Sequence, residues 1–196
     1  TFGASNATTS VIAGASWNSR DIVFARDYPW RQPGASVYGN SFTTLDDGID
    51  NFNWTSLPGA CDFEGSAFFT LNSGGALPDS DGNQTRCAYD FTEVSADEAS
   101  YDTRSAFARA EHEFAPNWTV YSDIWYSKTR SFGRYAPVPD STYFGDPLTA
   151  SSPNNPTNPA SPFYDPAFGP QQEVNIWHRF DALGNRDNDI ETALTA

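Results

Sequence analysis

The sequence predicts an all-β chain organised around an open antiparallel sheet, and three observations carry that expectation. Phe, Trp and Tyr make up 15% of the 196 residues against a hydrophobic total of 38%, so rings supply much of the apolar material. That balance suits strands and ring-lined surfaces better than a packed helical core. Several segments alternate between apolar and polar residues with a period of two. Between them run connections of very unequal length, crowded with Gly, Pro, Asn and Asp.

The elements follow in order. "TFGASNAT" reads as a tight turn. "TTSVIAGASWNS" then sets Thr9, Val11, Ala13, Ala15 and Trp17 against Ser10, Ile12, Gly14, Ser16 and Asn18, a strand near 8–19 with small residues on both sides. Over 20–100 the periodicity is lost, and pieces such as "YPWRQPGAS", "SLPGAC" and "NSGGALPDSDGN" mark one long loop. Within it "SAFFTLN" reads as a short strand. "SADEAS" reads as a helical turn, because Ser95 with Glu98 fits a capping box.

Alternation returns in "YDTRSAFARAEHEF", a strand near 102–114. Ala106, Ala108, Ala110, His112 and Phe114 share one face; Ser105, Phe107, Arg109, Glu111 and Glu113 share the other. After "APNW", the strand near 118–130 places Val120, Ser122, Ile124 and Tyr126 together, opposed by Thr119, Tyr121, Asp123 and Trp125. Residues 131–172 hold most of the chain's prolines, too dense for helix or central strand, and read as a second long loop. A last strand near 173–196 opens with "EVNIWHRF".

Long and short connections therefore alternate between half-polar strands. Outer-membrane barrels have this pattern, with short periplasmic turns, long extracellular loops, and residues facing lipid and lumen by turns. The expectation is an open antiparallel sheet forming part of a large transmembrane β-barrel, with 20–100 and 131–172 as two long extracellular loops. The Ala106, Ala108, Ala110, Val120, Ile124 and Tyr126 face would meet lipid. "APNW" would sit on the periplasmic side, with Trp118 at the membrane border.

Composition narrows the function classes. The formal net charge is −14, which excludes a basic nucleic-acid footprint. Between Leu45 and Ser100 eleven Asp and Glu residues face one basic residue, Arg86, the mark of a solvated stretch. No apolar run is long enough for a transmembrane helix. The absence of Met reads as a fragment or processed piece. Cys61 and Cys87, both in a polar region, are expected to form a disulfide in an oxidising compartment.

No nucleophile, zinc or phosphate-loop motif is present, so neither catalytic residues nor a cofactor is expected. Asp46, Asp47 and Asp50 in "LDDGIDN" have the oxygen ligands calcium uses, but lack the EF-hand pattern; solvated turn residues are the plainer reading. His112 and His178 are read as polar-tipped rings on a strand face at the lipid border. The ligand-binding candidates are the loop rings Tyr28, Trp30, Trp54 and Tyr135, with Arg134 available to an anionic group.

"RCAYDFTEVSADEASYDTRSAFARAEHEFAPNWTVYSDIWYSKTRSFGRYAPVPDS", the "NNPTNP" loop followed by "HRFDALGNRD", and "DIVFARDYPW" after the first strand resemble the barrel region of bacterial TonB-dependent receptors. The resemblance covers most of the chain and is thinnest over 40–85. It implies a parent barrel of about 22 strands in the outer membrane, with a plug domain that these residues do not show. It also implies uptake of a scarce ligand (iron–siderophore, cobalamin or oligosaccharide), energised by the TonB–ExbB–ExbD system through that plug. The partners implied are that ligand and outer-membrane lipid. The competing expectation is a secreted, soluble β-sandwich that binds carbohydrate, and the discriminating feature is what covers the small apolar face of the long hairpin.

Overall fold

The structure, a computed structural model, describes residues 1–44, 54–57, 59–62, 67–72 and 85–196. The chain is all-β; among the described residues the only helices are single 3₁₀ turns. The first strands are β1 (Phe2–Ser5), β2 (Thr9–Arg20), β3 (Val23–Phe24), β4 (Ala35–Ser36), β5 (Asn40–Thr44), β6 (Phe68–Asn72) and β7 (Thr85–Asp90). They are followed by β8 (Ala96–Glu98), β9 (Ser100–Ala115), β10 (Trp118–Tyr135), β11 (Pro139–Ser141), β12 (Val174–Arg179) and β13 (Arg186–Thr195). The chain forms two compact units, one of Thr1–Phe24, Ala96–Arg134 and Asp187–Ala196, the other of Ala25–Ser95 and Tyr135–Arg186.

The first unit is an open five-stranded antiparallel sheet in the order β1-β2-β9-β10-β13. Arg20 pairs with Tyr101 and Phe132 with Ser100, while Arg134 holds Asp187 at the start of β13. The end of β2, the start of β9, the end of β10 and the start of β13 therefore share one end of the sheet. The other end carries the tight β9–β10 turn. Asn117 takes φ 68° there, alone among the described non-glycine residues, which fits Pro116 then Asn117 at the corners of a type II turn.

Two details of the first unit, which also holds a two-stranded sheet of β3 and β8, correct the sequence reading. "TFGASNAT" is a hairpin strand, β1, with the turn confined to Asn6–Thr8, where Asn6 Oδ1 accepts from the Thr8 and Thr9 amides at 3.0 and 2.8 Å. "SADEAS" is strand β8 on β3, not a helical turn, because three residues of local capping signal lose to cross-strand pairing. Gly14 is required on its face, since a Cβ there would meet the Phe107 ring at 2.5 Å. The ring lies over the bare backbone of β2, the way an aromatic shields a strand glycine.

A further correction concerns the segment near 173–196. It is two strands, β12 in the second unit and β13 in the first sheet. The Asp181–Leu183 turn and Gly184 at φ 78° break it.

The stretches read as long loops supply most of the second unit. It contains two three-stranded antiparallel sheets, β11-β12-β5 and β4-β7-β6. Phe42, Phe168 and Val174 form its apolar centre, with Leu57, Leu148 and Ile176 packed around them. Gly39 lets β5 approach β7, for a Cβ there would lie 1.9 Å from the Cys87 carbonyl oxygen. Ser41 Oγ donates to that carbonyl at 2.9 Å.

Cys61 and Cys87 form a disulfide across 26 residues. On the chain-entropy account, replacing both by Ala lowers the second unit's stability by about 3 kcal/mol. Denaturant unfolding followed with and without reductant checks this: reductant should shift the wild type and leave the double variant unmoved.

The proline-rich stretch is a staircase of turns. Ser152, Asn155, Asn158 and Ser161 each precede a proline, and each carbonyl accepts the amide three residues on, at 2.8–3.2 Å. The same side chains accept the amide two residues on, at 2.8–3.3 Å. Asp165–Pro166 repeats the device. Each step is an Asx- or Ser-turn whose first corner proline fixes beforehand.

Candidate functional site

Strand register sorts the first sheet into two chemically different faces. One carries Val11, Ala13 and Ala15 on β2, Ala106, Ala108 and Ala110 on β9, and Val120, Ile124 and Tyr126 on β10. Ala13, Ala108 and Ile124 stand side by side, as do Ala15, Ala106 and Tyr126. Nothing in the unit covers this face: Val120 and Ile124 are 55% and 61% exposed. At the turn end it is bounded by Phe114 and Trp118, whose rings lie 6.2 Å apart, with His112 inside them bonded to Thr9 Oγ1 at 2.8 Å. At the far end Trp17 and Tyr126 bound it, and charges begin at once.

Those charges pair among themselves. Arg104 binds Asp102 at 2.9 Å, Lys128 binds Glu191 at 2.7 Å, and Arg130 also binds Glu191. Trp17 Nε1 donates to Asp102 at 2.9 Å. The steps from Trp118 to Lys128 cover about 33 Å along the strand, or about 25 Å of height at the ~40° tilt of membrane strands. The opposite face is mixed throughout: Ser16 meets Ser105 at 2.7 Å, Arg109 lies 3.7 Å from Asp123, and Thr103 meets Thr129 at 3.1 Å. Among the described residues no helix is long and apolar enough to cross a membrane, which says nothing of strands.

The sequence-predicted ligand residues are dispersed. Tyr28 and Trp30 stack at 5.0 Å, with Trp30 72% exposed, and present a flat apolar surface. Trp54 packs edge-on against Trp177 at 5.8 Å, with the Arg86 guanidinium 5.6 Å from its ring. Arg134 belongs to the first unit, where Asp187 holds it through two bonds of 2.7 and 2.8 Å. Tyr135 belongs to the second, exposed, with Arg186 5.8 Å from its ring. The candidate calcium residues Asp46, Asp47 and Asp50 lie outside the described residues. Among the described residues no cluster of three or more His, Cys, Asp or Glu could hold a metal.

Polar arrangements of two kinds in the second unit lie outside the ligand candidates read from the sequence. The first is structural. Arg31 bridges Asp90 and Glu93, and Asp90 also accepts from the Gly34 and Thr92 amides at 2.9 and 3.0 Å. Burial pushes the Asp90 carboxyl up, but the Thr92 hydroxyl, the Gly34 amide and Arg31 outweigh it and hold it below its ordinary value. A depressed carboxyl contributes stability that is complete above its unfolded pKa of about 3.9 and is lost as pH falls through the folded value. Asp90→Asn is therefore expected to destabilise the unit at pH 7, and the gap to wild type should close as both are acidified below pH ~4. Thermal unfolding at stepped pH reads this directly.

Arg179, buried on the far side of β12, donates to the Pro137 carbonyl at 2.8 Å and Ser36 Oγ at 2.9 Å. Its guanidinium stacks 5.1 Å from the Tyr89 ring, whose hydroxyl donates to Asp181 at 2.8 Å. Burial first, then Asp181, raises the Tyr89 phenol far above its ordinary value.

The second arrangement is an open cleft of about 350 Å³ between β11, the Thr142–Phe144 turn and β12. Asp140, Phe144, Asp146, Ile176, His178 and Phe180 line it. The sequence placed His178 on a lipid-border strand; it sits instead in this cleft, paired across the strands with Asp140. Burial lowers its pKa. The signal for the site, Ile176, His178 and Phe180 at every second position, was present but read as one long barrel strand.

Comparison with family models, curated proteins and solved structures finds no match for this chain.

Proposed function

We propose that the chain is part of the wall of a TonB-dependent receptor barrel in a bacterial outer membrane. One observation carries the reading: an uncovered apolar stripe on one face of an open antiparallel sheet, closed by aromatic rings at both ends and by paired charges beyond Trp17 and Tyr126. Its height of about 25 Å suits the apolar band of such barrels, and ring girdles belong at its borders. The tight Pro116–Asn117 turn then faces the periplasm. The four chain crossings at the other end lead outward, and the second unit is the ligand-capturing extracellular part.

Transport of an iron–siderophore, cobalamin or an oligosaccharide would be driven by TonB–ExbB–ExbD through a plug domain. The Tyr28–Trp30 stack, with Trp30 exposed, supplies a surface for a planar ligand. The soluble-sandwich alternative is disfavoured because no second sheet of the first unit lies on the apolar face. The deciding test is fractionation of the full-length protein that carries this chain. Recovery in the outer membrane, released only by detergent, is expected; recovery in the soluble fraction overturns the proposal.

A further inference from the structure

We propose that the cleft between β11, the Thr142–Phe144 turn and β12 binds a small organic cation, a primary amine carried on an aromatic or apolar body. Unpaired negative charge beside apolar rings selects such a ligand. The Thr142 hydroxyl already accepts the Ile176 amide at 2.9 Å, and the Ser141 hydroxyl accepts the Tyr143 amide at 3.1 Å. The Ser141 and Thr142 hydroxyls each keep a proton to donate, but the open charge is carboxylate: Asp140 takes one backbone amide, from Ser141 at 2.8 Å, and Asp146 has no hydrogen bond or ion pair among the described residues.

No Lys or Arg lines the cleft. Arg179, next to His178 in sequence, points to the other side of β12, to Tyr89 and Pro137. His178 is half-buried, and burial disfavours its charged form, so it is a poor competitor for the cation's place. Two carboxylates without a basic partner repel anions and favour a donor that carries positive charge.

The rings supply the rest. Phe144 is 77% exposed, held edge-on by Tyr143 at 5.0 Å. Phe180 is 38% exposed, edge-on to His178 at 4.9 Å. Two fixed aromatic rims over an Ile176 floor stack against an apolar body and attract an ammonium group by its charge. The volume is that of a small-ligand site.

The cleft lies wholly in the second unit, so this inference stands independently of the membrane reading. The full chain, folded in detergent micelles, is titrated with benzylamine, benzyl alcohol and benzoate at pH 7, with binding read by saturation-transfer NMR and calorimetry. Benzylamine is expected to bind at least about tenfold more tightly than either isostere. Asp140→Asn with Asp146→Asn should weaken it about tenfold or more, and Phe144→Ala about threefold. Near-UV circular dichroism confirms that the variants are folded, and Phe144→Ala tests the rim separately from the acids. Equal binding of benzyl alcohol, indifference to the Asp substitutions, or no saturable benzylamine binding would each overturn the proposal. None of these outcomes bears on where the full-length protein fractionates.

Discussion

Ile124→Arg combined with Ala108→Arg is expected to abolish assembly of the full-length protein into the outer membrane, whereas Tyr121→Arg is expected to assemble normally. Ile124 and Ala108 stand directly opposite each other on β10 and β9. They lie about 20 Å along the strand from Trp118, near the middle of the apolar stripe. An arginine facing lipid at the bilayer midplane costs about 2–4 kcal/mol. Two at adjacent strand positions cost about twice that and repel each other, a penalty comparable to the whole stability of many domains.

Tyr121 is equally exposed but on the other face, directly across from Glu111. An arginine there gains a partner and, in a wet lumen, loses nothing. Heat-modifiable gel mobility and protease resistance of outer-membrane fractions read assembly. Wild-type behaviour of the double variant would remove the lipid-facing assignment, and failure of Tyr121→Arg would mean the two faces are misassigned. The contrast matters because both substitutions add positive charge to the same strand, so only the face differs.

What could be read in the sequence depended on how far each signal reached along the chain. β2, β9 and β10 run for 12, 16 and 18 residues, long enough for alternation to rise above composition. In β9 the Ala106, Ala108, Ala110 series marks a face with no side chain large enough to confuse the count. The second unit is built from strands of two to six residues, such as Ala35–Ser36 and Val174–Arg179. Segments that short carry too few alternations to separate from loop, and their pairing is decided by partners distant in sequence: β5 meets β12 across more than a hundred residues.

The Pro153, Pro156, Pro159, Pro162 spacing marks the corners of repeating turns, but proline density by itself signals only a break in helix and strand. The cleft is hidden in the sequence because alternation in β12 runs on toward β13 with only Gly184 to mark the break. Arg134 and Tyr135 adjoin in sequence but belong to different units. One closes an ion pair on β13 and the other presents its ring to Arg186.

The proline staircase leads to the second large effect: Asn155→Ala is expected to destabilise the second unit by about 4 kcal/mol, while Asn154→Ala changes it by less than about 0.5 kcal/mol. Asn155 is fully buried and uses every bonding position of its side chain. Its Nδ2 donates to the Gln172, Thr149 and Leu148 carbonyls at 2.8, 3.0 and 3.4 Å. Its Oδ1 accepts the Thr157 amide at 2.8 Å and the Thr157 hydroxyl at 2.7 Å. The consequences of truncation are unequal.

Each of the three carbonyls keeps another donor: Thr157 Oγ1 for Gln172, the Ser152 amide for Thr149, the Val174 amide for Leu148. The Thr157 amide keeps none of its own, and Thr157 is also fully buried. The dominant loss is therefore that one orphaned N–H, costing about 1–3 kcal/mol, with smaller amounts for the bonds removed around it. Asn154, one residue earlier, is exposed and offers a sequence-matched control. Hydrogen exchange should show the Thr157, Leu148 and Val174 amides opening far sooner in Asn155→Ala, with the amides of β9 and β10 unchanged. Protection within about 0.5 kcal/mol of wild type at those three amides would mean that the prolines alone hold the staircase, and that Asn155 merely occupies it.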